Sequence, residues 1–190
     1  MGFLVHRLRT WLWTAFYRAF GRLAFERVGP GCRFEGWVDI PQAGGRIRIG
    51  AGARIGRHVE LTVLRGAELE IGERAFIGRG VVLSAHRRVV IGPGTLIAEY
   101  VSIHDNDHRT RDRGMAPARG GFAAEPVEIG AHCWVGAHAT LVKGAALGAG
   151  CTIGAGSVVT GRIAEGALAA GAPAREIRRG SQATPVEGKI

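Results

Sequence analysis

Aliphatic residues recur at every sixth position along most of this chain, and glycine usually follows them. A six-residue period is neither the period of a helix, about 3.6 residues, nor the two-residue alternation of a single strand. It is typical of a solenoid in which each hexad supplies one short strand and one corner. The hexads begin at Ile49, Ile55, Leu61, Ile71, Ile77, Leu83, Ile91, Ile97, Ile103, Ile129, Val135, Leu141, Leu147, Ile153 and Val159.

The repeat predicts an all-β solenoid, a parallel β-helix, over residues 45–163. The first residue of each hexad points inward and stacks about 4.8 Å from its equivalent in the next coil. The residue that follows lies at a corner, where glycine or alanine leaves room for the turn. With three hexads to a triangular coil, the interior is a continuous aliphatic core.

The repeat is interrupted between Ile103 and Ile129. Residues 104–126 begin with the sequence HDNDH and are rich in charged side chains. A segment of this composition predicts a loop on the surface of the solenoid. Because a neutral imidazole accepts protons near pH 7, its two histidines are candidates for chemistry. A solvated loop without chemistry is the alternative.

The first 28 residues differ in composition from the rest and predict a basic amphipathic helix. Arg7, Arg18 and Arg22 gather on one side, and no acidic residue occurs before Glu26. The charge-free run is too short for a bilayer, which needs about 20 apolar residues. We expect a helix that lies in the plane of a membrane surface or, alternatively, packs on the main domain or on another subunit. Its apolar stripe comprises Leu4, Leu8, Trp11, Leu12, Ala15, Phe16, Ala19, Phe20 and Leu23.

The formal net charge of +9 is carried mainly by arginine. Arginine favours phosphate groups on nucleic acid, on membranes or on phosphorylated cofactors. Nucleic acid is not expected as a partner, because no groove-reading helix or base-stacking motif is visible. The three cysteines, Cys32, Cys133 and Cys151, are odd in number and lack metal-binding spacing. They predict a reducing, cytoplasmic compartment, with Cys133 and Cys151 as small core residues.

Residues 89–178 resemble the maltose and galactoside O-acetyltransferases and their relatives that act on bacterial capsule and lipopolysaccharide sugars. Three ordered motifs carry the resemblance: VVIGPGTLIAEYVSIHDNDH, EPVEIGAHCWVG and GAPAREIRR. This hexapeptide-repeat family has a left-handed parallel β-helix fold. The resemblance implies a left-handed β-helix acyltransferase domain over residues 29–178 with an excursion loop at 104–126. The amphipathic helix predicted from its own pattern occupies residues 1–28, and residues 179–190 are expected to form a flexible tail.

By this resemblance, His108 occupies the place of the family's catalytic histidine, and the acyl group is transferred directly. A neutral imidazole removes the proton of a sugar hydroxyl as it attacks the thioester, which contributes about 10²- to 10⁴-fold to the rate. Asp105, Asp107 or a backbone carbonyl orients the far ring nitrogen. Backbone amides at the Gly136 corner are candidates for stabilising the oxyanion. No metal is expected.

The resemblance also implies acetyl-CoA as co-substrate, bound in a groove between two β-helices of a homotrimer. Relatives often have Thr-Lys where this chain has Thr160-Gly161, so a phosphate contact there shifts to Arg162. Arginine suits phosphates because its planar guanidinium donates several hydrogen bonds. The implied coenzyme contacts are Trp134, Gly136, Ala137, Ala155, Ser157, Thr160, Arg162, Arg175 and Arg178.

The expected acceptor is a hydroxyl on a lipid-linked or cell-envelope glycan. Gly80 and Ala85 stand where the sugar acetyltransferases have an asparagine and an aspartate, which disfavours free maltose or galactoside. An N-acetyltransferase acting on an amino sugar, a serine or antibiotic acetyltransferase, and a membrane-attached scaffold with a degenerate site remain alternatives. A γ-class carbonic anhydrase is disfavoured, because the spacing of its three zinc-binding histidines is absent.

Overall fold

The structure is a computed structural model, and the residues that it describes are 10–17, 19, 24–109 and 121–178. The predicted tail at 179–190 and the middle of the predicted loop, 110–120, lie outside the described residues. The same holds for Leu4, Leu8, Phe20 and Leu23 of the predicted apolar stripe.

The chain winds as a parallel β-helix whose three faces are three parallel sheets. Sheet A contains β1 (Arg27–Val28), β4 (Arg46–Ile49), β7 (Glu68–Ile71), β10 (Arg88–Ile91), β15 (Val127–Ile129), β18 (Ala146–Leu147) and β21 (Arg162–Ile163). Sheet B contains β2 (Arg33–Phe34), β5 (Arg54–Ile55), β8 (Phe76–Ile77), β11 (Leu96–Ile97), β16 (Trp134–Val135), β19 (Thr152–Ile153), β22 (Leu168–Gly171) and β23 (Ala174–Arg178). Sheet C contains β3 (Val38–Ala43), β6 (Val59–Val63), β9 (Val82–Ala85), β12 (Ser102–His104), β17 (Thr140–Leu141) and β20 (Val158–Val159). A separate antiparallel hairpin pairs β13 (Asn106–His108) with β14 (Phe122–Ala124).

The core is formed by the first residues of the hexads, stacked from coil to coil. Ile71, for example, pairs in register with Ile49 in the preceding coil and with Ile91 in the following one. Burial of such side chains in a continuous stack supplies the main driving force for this fold. The parallel β-helix predicted from the repeat, with the left hand implied by the resemblance, is confirmed. So is the inward orientation of Ile49, Ile55, Ile71, Ile77, Ile91, Ile97, Ile129, Val135, Leu147 and Ile153, all buried.

The β-helix begins one coil earlier than the clear repeat. The chain between Arg27 and Ala43 adds a first strand to each of the three sheets. Its pattern is harder to recognise because Phe34 replaces an aliphatic residue and the pairing of β3 with β6 shifts between Asp39 and Gln42. Pro41 lies within this irregularity, where a residue without an N–H group is tolerated at the edge of a sheet.

The N-terminal helix, residues 10–17 and 19, covers the open edge of the first coil. The Val38 N–H donates to Tyr17 Oη over 2.8 Å, and the Phe34 N–H donates to Thr14 Oγ1 over 3.0 Å. Strand edges carry unpaired backbone groups, so these side chains satisfy donors that the first coil would otherwise leave open. Tyr17 also packs against Phe25 and Phe34 and is buried.

The helix face that packs on the β-helix is therefore not the predicted apolar stripe. The described residues of that stripe, Trp11, Leu12, Ala15, Phe16 and Ala19, are all exposed. The helix does pack on the main domain, as the alternative prediction had it, but through its opposite side. There Thr14 and Tyr17 provide hydrogen bonds to the sheet edge as well as apolar contact. None of the described helical residues forms a segment that is long and apolar enough to cross a bilayer.

The cysteines behave as predicted for core residues. Cys133 and Cys151 are buried in successive coils. Burial raises the pKa of the Cys151 thiol to about 11, so this thiol stays protonated at neutral pH.

Glycine at the corners allows the coils to approach each other, and we expect a methyl group there to destabilise the fold. A Cβ atom on Gly92 would lie 2.5 Å from the carbonyl carbon of Gly130 in the next coil. Gly92→Ala should lower the free energy of unfolding by about 1–3 kcal/mol in urea denaturation. Gly161→Ala is the matched control, because its Cβ would meet nothing within 4 Å. Equal stability of the two variants would contradict close coil packing.

Candidate active site

The buried aspartate of the HDNDH sequence ties the interruption to the neighbouring coil. Asp105 is 0% exposed, and its carboxylate accepts hydrogen bonds from the backbone N–H groups of His86, Arg87 and Arg88, each over 2.7 Å. The Glu125 N–H donates to the Asp105 carbonyl over 2.8 Å at the far end of the interruption. Both carboxylate oxygens thus serve backbone donors, so Asp105 fixes the base of the hairpin, a different task from the predicted orientation of His108.

His108 lies on the hairpin that rises from this base. It is exposed and pairs with Phe122 across β13 and β14. The Phe122 ring lies 4.5 Å from the His108 ring and 4.5 Å from the His86 ring, measured between centroids. Phe122 therefore stands between two histidines. Sequence reasoning missed this phenylalanine, since only the pairing register of the hairpin brings it to His108.

Asp107 points away from this histidine pair. Residues alternate between the two faces of a strand, so Asp107 lies on the opposite side of β13 from His108. Its carboxylate lies 3.8 Å from Lys143 Nζ, which is also 3.6 Å from a Glu125 oxygen. Asp107 therefore forms a solvent-exposed ion pair with Lys143. Its predicted role as the group that orients His108 has no hydrogen bond between these two described residues to support it.

His104 belongs to sheet C and not to the hairpin. Its Nε2 lies 2.6 Å from Ser102 Oγ on the same strand, within hydrogen-bond distance. Burial lowers the pKa of His104, and the carboxylates of Glu60 and Asp105 partly oppose this shift. Burial likewise lowers the pKa of His86; the Asp105 carboxylate opposes this shift, and the nearby histidines act in the same direction as burial. Both imidazoles are therefore held neutral at pH 7.

Two predicted coenzyme residues, Trp134 and Arg178, lie at the two ends of a straight row of side chains on sheet B. Trp134, Thr152, Leu168 and Arg178 are ladder partners in that order. Three steps between strands, about 4.8 Å each, separate the tryptophan from the arginine by about 14 Å. Trp134 and Arg178 are exposed, and Arg175 lies on the same C-terminal strand. A long, thin molecule with an apolar end and a phosphorylated end fits this order of side chains.

Two of the backbone N–H groups at the corner after Trp134 form hydrogen bonds within the β-helix. The N–H groups of Gly136 and His138 donate to the carbonyls of Ile153 and Glu99. The remaining corner amide, that of Ala137, has no such bond among the described residues, so it is the donor available to an oxyanion. Ala155 lies directly above, since a Cβ on Gly136 would come within 2.6 Å of its backbone nitrogen.

Ser157 differs from the expectation for a coenzyme contact. Its side chain is 1% exposed, and its Oγ accepts the Gly171 N–H over 3.1 Å. It therefore anchors the turn of the C-terminal hairpin. The sequence did hold a signal for this position, because Ser157 stands two residues before an inward aliphatic residue, where Cys133, Cys151 and Ala167 are also small and buried.

Thr160 and Arg162 lie apart from the rest of the predicted coenzyme set. Arg162 begins β21 on sheet A, and Thr160 lies at the corner that leads from sheet C to sheet A. Within one chain, neither lies on the face that carries Trp134. The hairpin with His108 also leaves the β-helix at the corner between sheets C and A. The predicted site residues of one chain therefore lie in two separate regions.

Among the described residues, no group of three or more histidine, cysteine, aspartate or glutamate side chains is arranged to hold a metal ion.

Comparison with known proteins adds one matching sequence profile, two relatives and one similar structure. Residues 126–161 match the sequence profile described as the hexapeptide repeat of succinyl-transferase. A probable acetyltransferase of Mycobacterium tuberculosis is 31% identical over 151 residues, which cover 80% of this chain and 49% of that protein. Nodulation protein L of Rhizobium meliloti is 38% identical over 114 residues, or 58% of this chain and 59% of that protein. The structure of a mutant of AntD, an N-acyltransferase from Bacillus cereus in complex with dTDP and coenzyme A, superposes with a TM-score of 0.73 at 18% identity, covering 85% of this chain and 87% of AntD.

Fold and repeat together define a left-handed β-helix protein built from hexapeptide repeats. Within that class, the chain is similar in sequence to a probable acetyltransferase, and residues 126–161 match the hexapeptide repeat of succinyl-transferase. It spans 49% and 59% of the lengths of the two relatives matched by sequence.

Asp105 should contribute much more to stability than its neighbour Asp107. Asp105→Ala leaves three backbone N–H groups without their acceptor, and we expect a loss of at least about 3 kcal/mol in urea unfolding. Asp105→Asn keeps one acceptor oxygen and should lose less. Asp107→Ala removes an exposed ion pair and should change stability by at most about 0.5 kcal/mol. Similar losses for the two alanine variants would refute the anchoring role.

Proposed function

We propose that this protein is an acyl-CoA-dependent O-acyltransferase, with acetyl-CoA as donor, that acylates a sugar hydroxyl in a cell-envelope glycan. The observation that carries the proposal is the anchored hairpin. Asp105 fixes the base of the hairpin to the β-helix by three hydrogen bonds. The hairpin in turn presents His108 to solvent, beside Phe122. A rigid support with an exposed imidazole is what a general base needs.

His108 accepts the proton of the acceptor hydroxyl in the proposed reaction. The hydroxyl oxygen attacks the thioester carbonyl, and a tetrahedral oxyanion forms, for which the Ala137 N–H is a suitable donor. The carbon–sulfur bond then breaks, and the leaving thiolate takes the proton from the imidazolium. The products are an ester and free coenzyme A, and the histidine is regenerated. No enzyme nucleophile is required.

The division of the site supports assembly of several copies, and we propose the family's homotrimer. Coenzyme A on the track from Trp134 to Arg178 would face a second chain across a groove. That second chain would bring its corner between sheets C and A, with Thr160, Arg162 and the hairpin of His108, towards the thioester. An arginine at that corner suits the phosphates of the coenzyme for the same reason as Arg178.

Acylation of an amine is the second candidate, because AntD acts as an N-acyltransferase. A neutral amine needs less help from a base than a hydroxyl does, because it is already nucleophilic. The two activities therefore differ in how strongly they depend on His108. Serine or antibiotic acetylation would follow the same geometry with another acceptor.

We also propose that the N-terminal helix holds the enzyme on the inner surface of the cytoplasmic membrane. Trp11 is 66% exposed and Trp37, from the loop after β2, is 54% exposed. Leu12 and Phe16 are also exposed, and the Phe16 ring lies 6.3 Å from the Trp37 ring between centroids, so these side chains form an exposed apolar patch on and next to a helix whose sequence is basic. Trp and Phe enter the interface of a bilayer, while arginine contacts anionic headgroups. A lipid-linked acceptor would be reached from this position.

His108→Ala should reduce turnover by about 10²-fold or more, with little change in the KM for acetyl-CoA. The assay is coenzyme A release during a screen of glycans, sugar nucleotides, amino sugars and antibiotics. His104→Ala should lower turnover less. Arg178→Ala is the contrasting variant, because it should raise the KM for acetyl-CoA with a smaller effect on turnover at saturation. If His108→Ala keeps full turnover on every acceptor, His108 is not the base. If it keeps full turnover only on an amine acceptor, N-acylation is favoured.

Replacing Trp11 and Leu12 with alanine should weaken co-sedimentation with phosphatidylglycerol vesicles, because apolar insertion is lost. High salt should weaken binding of the unchanged protein, since headgroup contacts are screened. Trp134→Ala is the control, because Trp134 is also an exposed tryptophan, at 54% against 66% for Trp11, but lies on sheet B. Failure of the unchanged protein to bind these vesicles would show that the patch contacts protein instead.

A further inference from the structure

The corner between sheets B and C repeats one backbone conformation in five successive coils. Strand pairing aligns the five residues, and each has a φ between 57° and 67°. Glycine adopts this left-handed region freely, and histidine enters it more often than most side chains do. A tyrosine there costs free energy, because its Cβ atom crowds the following carbonyl oxygen. In coil order, the residues are His58, Gly80, Tyr100, His138 and Gly156.

This corner is filled by aromatic rings as far as the coil of His138 and is open beyond it. The Tyr100 ring stacks on the His138 ring with 5.2 Å between centroids and 17° between planes. One coil towards the N-terminus, a Cβ atom on Gly80 would lie 2.6 Å from two carbons of the Tyr100 ring. One coil beyond His138, a Cβ atom on Gly156 would meet nothing within 4 Å. The ring stack therefore ends the open part of the corner.

The proposed coenzyme approaches the corner from its open part. The row on sheet B runs from Arg178 to Trp134, and the candidate oxyanion donor, the Ala137 N–H, follows three residues after Trp134. A donor extended in the same direction places its acyl group over the preceding coil. There Leu96, the ladder partner of Trp134, is 40% exposed, and the Tyr100 ring lies at the corner of the same coil. The acyl group thus has an apolar side chain beside it and a ring at its end.

The Tyr100 ring is held in place although it is not buried. The Arg79 guanidinium carbon lies 5.1 Å from the centre of the ring, and the Tyr100 N–H donates to the Arg79 carbonyl over 2.9 Å. Tyr100 nevertheless remains 43% exposed. A strained residue that gains so little burial is not explained by core packing. Strained backbone that the surroundings hold in place occurs most often at functional sites.

We infer that the Tyr100 ring is the end wall of the acyl pocket and limits the donor to a short acyl group. The inference rests on the proposed function, from which it takes the coenzyme row and the Ala137 donor. Because Gly80 has no side chain behind the ring, loss of the ring would lengthen the pocket by one strand spacing, about 4.8 Å. One methylene group more or less in an apolar pocket changes selectivity by about 10- to 200-fold. A single ring at this position is therefore enough to favour acetyl over longer chains.

Binding of coenzyme A thioethers to the full chain tests the wall without any acyl transfer. The probes are the S-ethyl, S-butyl and S-hexyl thioethers, measured by isothermal titration calorimetry. We expect the unchanged protein to bind the ethyl thioether at least about tenfold more tightly than the hexyl thioether. Tyr100→Gly should abolish this difference, because open space replaces the ring. Glycine suits the backbone of this variant, since Gly80 and Gly156 adopt the same conformation at this corner.

Two control variants separate the ring from the backbone. Tyr100→Phe keeps the ring and should keep the preference for the ethyl thioether. His58→Gly makes the same backbone replacement at the same φ of 57°, two coils earlier at this corner, and should also keep the preference. In the transfer assay, Tyr100→Gly should raise kcat/KM for butyryl-CoA relative to acetyl-CoA by about tenfold.

Five results would overturn the inference: no thioether binds, the unchanged protein binds all three equally well, Tyr100→Gly keeps the preference for the ethyl thioether, or either control variant loses it. Failure of the proposed function gives a different pattern. If the thioether preference depends on Tyr100 but no acceptor is ever acylated, the wall stands and the transferase proposal fails. If acetyl transfer proceeds and Tyr100→Gly still discriminates against butyryl-CoA as the unchanged protein does, the transferase proposal stands and the wall is wrong.

Discussion

Everything in this molecule depends on the stacking of inward aliphatic side chains in exact register from one coil to the next. Ile49, Ile71, Ile91 and Ile129 lie above one another because each coil returns the chain to the same lateral position. Apolar burial at these positions stabilises the coil, and glycine at the following corner allows the close approach. Since the inner positions are fixed, the outward side chains also fall into straight rows.

The repeat predicted the solenoid and its interior because both follow from local periodicity. The base of the candidate site did not follow from it. Asp105 was expected beside His108, yet its carboxylate serves three amides of a segment 17 to 19 residues earlier in the chain. Such contacts depend on which coil lies next to which corner. Ser157 was placed at the coenzyme by resemblance, although the recurrence of small buried residues at its position in the hexad indicates an inward side chain.

The N-terminal helix shows the limit of amphipathic patterns. Its stripe of apolar residues was identified from helical spacing, but spacing cannot tell which side of a helix has hydrogen bonds to offer. Tyr17 and Thr14 face the β-helix because the first coil presents open backbone groups there. The exposed remainder, with Trp11 and Leu12, is then free for a different contact. A single short helix thus has two sides with separate tasks, and the periodicity detected only one of them.

The closed ends of the solenoid limit how copies of the chain can associate. A parallel β-helix with bare ends would accept another copy end to end, and such contacts would extend without limit into fibres. The helix covers the first coil at Phe34 and Val38, and on sheet B the reversed strand β23 lies against β22 in antiparallel pairing. Axial growth is blocked at these edges, so the long flat faces are left for lateral contact. A side-by-side arrangement of copies gives a discrete assembly instead of a fibre wherever the rotation between neighbours closes a ring.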